Sequence, residues 1–229
     1  MRAAAILLAA GSGERLRGDR PKALVEVGGI TLLDRAIRTI EAVPEIEGFL
    51  VAAPPGKEEE MRASAAGSTR FLAVAPGGGS RQGSVRLALE TLPPGFDAVV
   101  CHDVARPFAS PGLFSAVLGA LEGVEGAIPV VPVADTVKRF AAGLVVETVS
   151  RQDLGLAQTP QAFLRESLER AHEVAEADGA VATDDAALLE RAGMRVAVVP
   201  GEPENMKVTA PEDLERAEAL ARSLTEGRP

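Results

Sequence analysis

Two glycine-rich stretches and a few cations are the parts of this chain best suited to chemistry. The first stretch is Leu8-Ala9-Ala10-Gly11-Ser12-Gly13-Glu14-Arg15, with Pro21-Lys22 close behind. Glycines let backbone N–H groups approach phosphate oxygens with no Cβ in the way. Arg15 and Lys22 would add full positive charge. The second stretch is Gly77-Gly78-Gly79-Ser80-Arg81-Gln82-Gly83-Ser84, which opens a helical pattern. Helix N-termini offer unpaired N–H donors to anionic and polar groups. Ser84 can offer a hydroxyl, and Ser80 is an N-cap type. Neither stretch is a standard fingerprint. Leu16 takes the third glycine position of G-x-G-x-x-G, and no G-x-x-x-x-G-K-[ST] occurs.

Other candidates lie further along. Cys101-His102-Asp103-Val104-Ala105-Arg106-Pro107 closes an apolar run. An aspartate at the C-terminal end of an inner strand sits where open α/β sheets place ligands. Asp103 could accept from a ribose hydroxyl or hold a divalent ion beside phosphates. The alternative is a structural ion pair with Arg106. His102 and His172 are the only histidines, and one cysteine makes no cluster, so zinc chemistry is not expected. His102 reads as a structural histidine. Arginines number 20 and lysines 4, namely Lys22, Lys57, Lys138 and Lys207. Lys207 follows the last apolar run, at the functional edge of a sheet. Thr209 to Asp213 reads as a helix cap with capping-box spacing from Thr209 to Glu212. Thr183-Asp184-Asp185 reads as a helix start, where the dipole favours acids.

These residues need a frame. Apolar runs at 3–10, 48–53, 70–75, 97–102, 126–133 and 195–199 have the look of inner parallel strands. Helical patterns fall at 32–42, 57–66, 80–92, 111–122, 164–177, 184–192 and 211–223. Such alternation predicts an α/β fold with a mostly parallel central sheet covered by helices on both faces. Ser110-Pro111 marks a helix start and Gly193 a stop. Residues 134–150 break the rhythm. Asp135–Phe140 and Leu144–Ser150 around Gly143 read as an inserted β-hairpin. A lone hairpin is marginal in water, so this arm must pack on its own body or on a second copy. A single domain over 1–229 with a projecting arm, and a homodimer through it, is the expectation.

Composition sets the outer bounds. The chain has 229 residues with 33 acids against 24 bases, a net charge of −9. That acidity argues against general nucleic-acid binding. Residues 157–229 hold 15 acids and 8 bases, so cations are relatively enriched earlier, where an anionic ligand is expected. An apolar fraction of 46% is ample for a core. No apolar run approaches the ~18–20 residues of a membrane span. Met1-Arg2 before Ala3–Ala10 looks superficially like a signal peptide, but a buried first strand fits it better. Cys101, the one cysteine, has no internal disulfide partner and fits a reducing compartment, so a cytoplasmic location is expected.

Taken in order, the blocks Ala-Ala-Gly-x-Gly-x-Arg…Pro-Lys, Gly-Gly-x-x-Arg-x-x-Ser-Val, His-Asp-x-Ala-Arg-Pro, Asp-Thr-x-Lys, Gln-Thr-Pro-Gln and Asn-x-Lys-Val-Thr-x-Pro-Glu-Asp-Leu resemble the 2-C-methyl-D-erythritol 4-phosphate cytidylyltransferase family. The first block alone suits any sugar nucleotidyltransferase. The later ones are more specific, and together they cover residues 4–214. The resemblance implies a three-layer Rossmann-like nucleotidyltransferase fold and a magnesium-dependent reaction of CTP with methylerythritol phosphate. A related sugar-phosphate or cofactor nucleotidyltransferase and a non-catalytic nucleotide-binding module are the alternatives.

The resemblance also implies roles. Arg15 and Lys22 match residues that stabilise the transition state at the α-phosphorus. Ala9, Ala10, Gly11 and Gly13 match backbone contacts to the nucleotide. Gly78, Gly79 and Ser84 match the segment that reads cytosine, and Asp103 and Val104 the ribose and phosphate neighbourhood. Arg106, Thr136, Arg151 and Lys207 match substrate-binding positions, with Thr136 and Arg151 supplied by the partner chain. Arg151 and Lys207 also count with Arg15 and Lys22 as catalytic cations. Asp103 is the one weak candidate metal contact. Two departures stand out: Gly79, where a larger polar residue is common, and Glu204, where an aspartate is expected.

Overall fold

The computed structural model describes residues 1–11 and 20–226. Six strands follow the six predicted apolar runs: β1 (Ala3–Leu8), β4 (Ile46–Ala53), β5 (Phe71–Pro76), β6 (Ala98–Asp103), β7 (Gly126–Pro132) and β12 (Val196–Pro200); a seventh, β11 (Gln161–Leu164), joins them. Their centre is buried on both sides, and the pleat sorts alternate residues to opposite faces. Ala3, Ala5 and Leu7 of β1 join one core with Val51 and Val100. Ala4 and Ile6 join the other with Leu50, Val99 and Cys101.

Helices close both faces. Beneath the first lie α1 (Leu32–Glu41), α2 (Glu58–Ala65) and α4 (Pro111–Gly119), contributing Ile40, Met61 and Phe114. Over the second lie α3 (Arg81–Thr91), α5 (Arg165–Ala177) and α6 (Asp185–Arg191), contributing Val85, Leu168 and Leu189. This is the three-layer arrangement the alternation predicts. The caps are local. Thr31 accepts from Asp34 N, Ser80 from Gly83 N and Ser110 from Leu113 N. At α7 (Pro211–Glu226) the reach-back comes from Asp213, not Glu212. Its carboxylate takes Thr209 N, Thr209 Oγ1 and Ala210 N at 2.8, 2.6 and 3.0 Å.

Neighbouring strands β5, β4, β1 and β6 are parallel, as are β7 and β12. One feature departs from the sequence expectation. No strand is expected between the hairpin and the helix at 164–177, yet β10 (Gly155–Ala157) and β11 pair antiparallel along one edge of β7. β11 also pairs antiparallel with β6, wedging into the middle of the sheet. The register slips by two residues between Ala157↔Val130 and Ala162↔Ala127. Gln158, Thr159 and a cis Pro160 fill that slip. Polar residues in a central strand escape a hydrophobic-pattern reading. A small hairpin, β2 (Glu26–Val27) with β3 (Ile30–Thr31), was also unforeseen and packs near α7.

The inserted hairpin is present as β8 (Val137–Ala141) and β9 (Leu144–Val149). Its two-residue turn, Ala142-Gly143, has both φ values positive, at 48° and 78°. That is the type I′ pattern suited to strand twist. Its apolar side chains are bare: Phe140 is 74% exposed, and Leu144, Val145 and Val146 are also exposed.

Candidate active site

The carboxyl ends of β1, β5 and β6 open into a cleft of about 440 Å³. Three backbone segments form it: Leu8–Gly11 leaving β1, Gly78–Arg81 leading into α3, and Asp103–Ala105 leaving β6. Lys22, Ser84, Lys207 and Thr209 complete the wall. Ala9, Ala10, Gly11, Gly78, Gly79, Val104 and Asp103 thus meet around one space. Arg15 and Gly13 lie outside the described residues. Thr136 and Arg151 are exposed on the arm and its exit and do not line this cleft.

The second loop is held by its own side chains. Ser84 is buried, accepts from Gly78 N at 3.0 Å and donates to Ser80 O at 2.9 Å. Its hydroxyl proton is therefore committed to the loop, a correction to the expectation that it is offered outward. A Cβ on Gly78 would stand 2.6 Å from the Gly83 carbonyl carbon and 2.9 Å from Ser84 N. A Cβ on Gly79 would meet nothing within 4 Å. Gly78→Ala is therefore expected to cost about 1–3 kcal/mol of stability, as overpacking does. Gly79→Ala should stay within about 0.5 kcal/mol. Urea unfolding of the two variants measures this, and equal losses would contradict the loop packing described.

Asp103 is the electrostatic centre. It does not pair with Arg106. Arg81 Nε reaches its Oδ1 at 3.1 Å, and Lys207 Nζ reaches its Oδ2 at 2.5 Å. Burial alone would raise the Asp103 carboxyl, but Arg81 and Lys207 outweigh it and hold the group well below the usual carboxylate range. Arg81 also donates from Nη1 to Asp185 Oδ2 at 2.7 Å. Burial alone would lower the guanidinium, but Asp185 and Asp103 together raise it above its ordinary value. Arg81 and Asp185 were missed as site residues. A signal was available: Arg81 sits inside one of the motif blocks, and two adjacent acids stand where one suffices for a cap.

Arg106 is a second correction. It does not line the cleft. Its Nη1 donates to Asn205 O at 2.8 Å and its Nη2 faces Ala157 O at 3.4 Å. It braces the segment that carries Lys207. Gln158 braces the same segment, donating to Glu202 O at 2.8 Å and accepting from Glu202 N and Asn205 Nδ2. Asn205, fully buried, also donates to Thr159 O at 2.9 Å. Glu204 is exposed and does not line the cleft.

His102 is structural, as its sequence setting suggests. Asp103 N donates to Thr159 Oγ1 at 3.0 Å, and the Thr159 hydroxyl lies 3.2 Å from His102 Nδ1. Burial lowers the His102 pKa to about 4 and also lowers that of His172. Unfolded imidazoles bind protons near 6.5 that the folded ones refuse. Stability should therefore fall as pH drops from about 6.5 toward 4. A denaturation midpoint as high at pH 5 as at pH 7 would contradict this.

Among the described residues, no cluster of three or more His, Cys, Asp or Glu side chains could cage a metal. Mg²⁺ does not need such a cage, because it commonly uses one or two carboxylates plus substrate phosphates. Asp103, ionised and facing the cleft, fits that use. No described helix is long and apolar enough to cross a membrane.

A glycine-lined, cation-bearing cleft at the carboxyl edge of a mostly parallel three-layer sheet defines a nucleotide-binding α/β protein. Solved structures narrow the class. The chain is similar to 2-C-methyl-D-erythritol 4-phosphate cytidylyltransferase from Thermus thermophilus, at TM-score 0.81 and 38% identity, covering 97% of this chain and all of that one. It is also similar to 4-diphosphocytidyl-2C-methyl-D-erythritol synthase from Anaerococcus prevotii, at TM-score 0.87 and 31% identity, covering 96% of each. In sequence it is 43% identical to the cytidylyltransferase of Saccharopolyspora erythraea, over 96% of this chain and 99% of that protein. A bifunctional enzyme IspD/IspF of Nitratidesulfovibrio vulgaris is 44% identical, and the chain spans only 60% of its length. The family model for 2-C-methyl-D-erythritol 4-phosphate cytidylyltransferase matches residues 3–223. The chain belongs to that family.

Proposed function

We propose that this chain transfers the cytidylyl group of CTP to 2-C-methyl-D-erythritol 4-phosphate. The products are 4-diphosphocytidyl-2-C-methyl-D-erythritol and pyrophosphate, a step toward isoprenoid precursors by the non-mevalonate route. The observation that carries this reading is the convergence of Lys22, Lys207 and two backbone loops on one cleft beside Asp103. The membership established above supplies the substrates.

An oxygen of the acceptor phosphate attacks the α-phosphorus of CTP. The bond from that phosphorus to the bridging oxygen breaks, and pyrophosphate leaves with the electron pair. A phosphate monoester is largely ionised at neutral pH, since its second pKa is about 6. No general base is needed, in keeping with a neutral, buried His102. What the protein must supply is charge. Two polyanions have to meet, and negative charge on the transferring group has to be stabilised. Lys22, and Arg15 from the segment beside it, serve the α-phosphorus. Lys207 positions the attacking phosphate, and the backbone of Gly78 and Gly79 faces the base. Mg²⁺, held by Asp103 together with the triphosphate, would neutralise phosphate charge.

The arm completes the proposal. Its exposed Phe140, Leu144, Val145 and Val146 form an apolar surface on an element that is marginal alone. A second copy covering it gives a homodimer and carries Thr136 and Arg151 to the neighbouring cleft. The buried, free thiol of Cys101 suits a cytoplasmic enzyme.

A panel of nucleoside triphosphates and acceptor phosphates, read by pyrophosphate release, tests the reading. CTP with methylerythritol phosphate should be the best pair. A better turnover with a sugar 1-phosphate, or CTP binding with no release for any acceptor, would replace it.

A further inference from the structure

Asp185 is the least expected charge in the molecule. It is fully buried at the first turn of α6. The cap of that helix is already taken by Asp184, whose Oδ1 accepts from Ala187 N at 3.0 Å. Asp184 also accepts from Gln161 Nε2 at 2.9 Å, tying α6 to β11. The Asp185 carboxylate instead points to Arg81 Nη1 and also neighbours the buried Cys101 thiol; its Oδ1 meets no nitrogen or oxygen donor among the described residues. His172 Nε2 stands 3.8 Å from that oxygen. Burial holds the imidazole below its usual range, so it stays neutral near pH 7 and leaves Arg81 as the charged partner.

Stability does not account for this arrangement. A buried ion pair often contributes less than apolar residues of the same volume, because desolvation offsets the attraction. Orientation does account for it. Arg81 spans two carboxylates, with Nε on Asp103 and Nη1 on Asp185. One end of the guanidinium is therefore tied into the core while the other fixes a cleft carboxylate. The two cations on Asp103 are not equivalent. The Arg81 side chain is 24% exposed and doubly tied, whereas that of Lys207 is 41% exposed. When anionic substrate enters, Lys207 is the partner that can leave Asp103 for a phosphate. Arg81 is the one that stays.

We propose that Asp185 is a positioning residue for the transfer reaction. It anchors Arg81, so that Arg81 holds the Asp103 carboxylate in place while Lys207 turns to the acceptor phosphate. The proposal rests on the cytidylyl-transfer reading given above.

A double-mutant cycle tests it with Asp185→Asn, Asp103→Asn and the combined variant, each read by kcat/KM and by CTP titration. Asp185→Asn alone should lower kcat/KM by about tenfold, and by less than about twofold once Asp103 is already Asn, as coupled residues do. A purely structural role would give losses that multiply in the double variant, and that result overturns the proposal. Should Asp185→Asn fail to fold, Asp185→Glu, which keeps the charge but displaces the carboxylate from Arg81 Nη1, carries the test in the same cycle, with the same two outcomes. The parent chain keeps the two claims apart. If it releases no pyrophosphate from CTP and methylerythritol phosphate, the reaction reading fails, while coupling in CTP affinity still decides whether Asp185 acts through Arg81 on Asp103.

Discussion

Replacing Lys22 with alanine is expected to lower kcat by at least about a hundredfold, because removing one group that stabilises developing charge costs about 3 kcal/mol in the barrier. Lys22 opens a short 3-10 turn, Lys22–Leu24, beside the first glycine segment and lines the cleft. It is one of 4 lysines in the chain, and Lys207 is the other lysine in that wall. Substitution leaves the two core layers untouched, so folding should be retained. Steady-state kinetics with saturating CTP and acceptor reads the effect. Near-parental turnover would remove Lys22 from the chemistry and leave it a surface cation.

The second large effect separates one chain from two. Arg151→Ala should inactivate the enzyme although Arg151 is exposed and absent from its own cleft. Mixed with Lys22→Ala chains, it should recover activity. In a mixed dimer the chain with intact Lys22 receives an intact Arg151 from its neighbour. Random pairing makes half the dimers mixed, each with one working site of two, so roughly a quarter of parental activity is expected. Mixed dimers that form yet stay inactive would place Arg151 with its own chain.

Much of this frame was legible in the residues. The inner strands could be read because burial on both faces leaves an unbroken apolar run, as in Ala3–Leu8 and Ala98–Cys101. Helix starts followed the caps at Ser80 and Ser110, whose bonds are local. The hairpin was announced by two β-rich runs around Gly143. What escaped depends on partners distant in sequence. β11 carries Gln161, buried in mid-sheet, and the segment before it holds Gln158 and Thr159. Their polarity is tolerated only because Asn205, Asp184 and Asp103 N supply hydrogen bonds from elsewhere. Asp185 looked like a dipole-favoured acid, and only the fold reveals its partner 104 residues away. Arg106 matches a substrate-binding position by family resemblance, yet its Nη1 and Nη2 face backbone carbonyls.

Isotope labelling tests most directly that a phosphate oxygen of the acceptor attacks the α-phosphorus of CTP in this cleft. The three terminal oxygens of the acceptor phosphate carry ¹⁸O, and both products are weighed by mass spectrometry. All the label should appear in the cytidine diphosphate product, with one labelled oxygen bridging the two phosphorus atoms, and the pyrophosphate should be unlabelled. Label in pyrophosphate, or a product formed without releasing pyrophosphate, would contradict it.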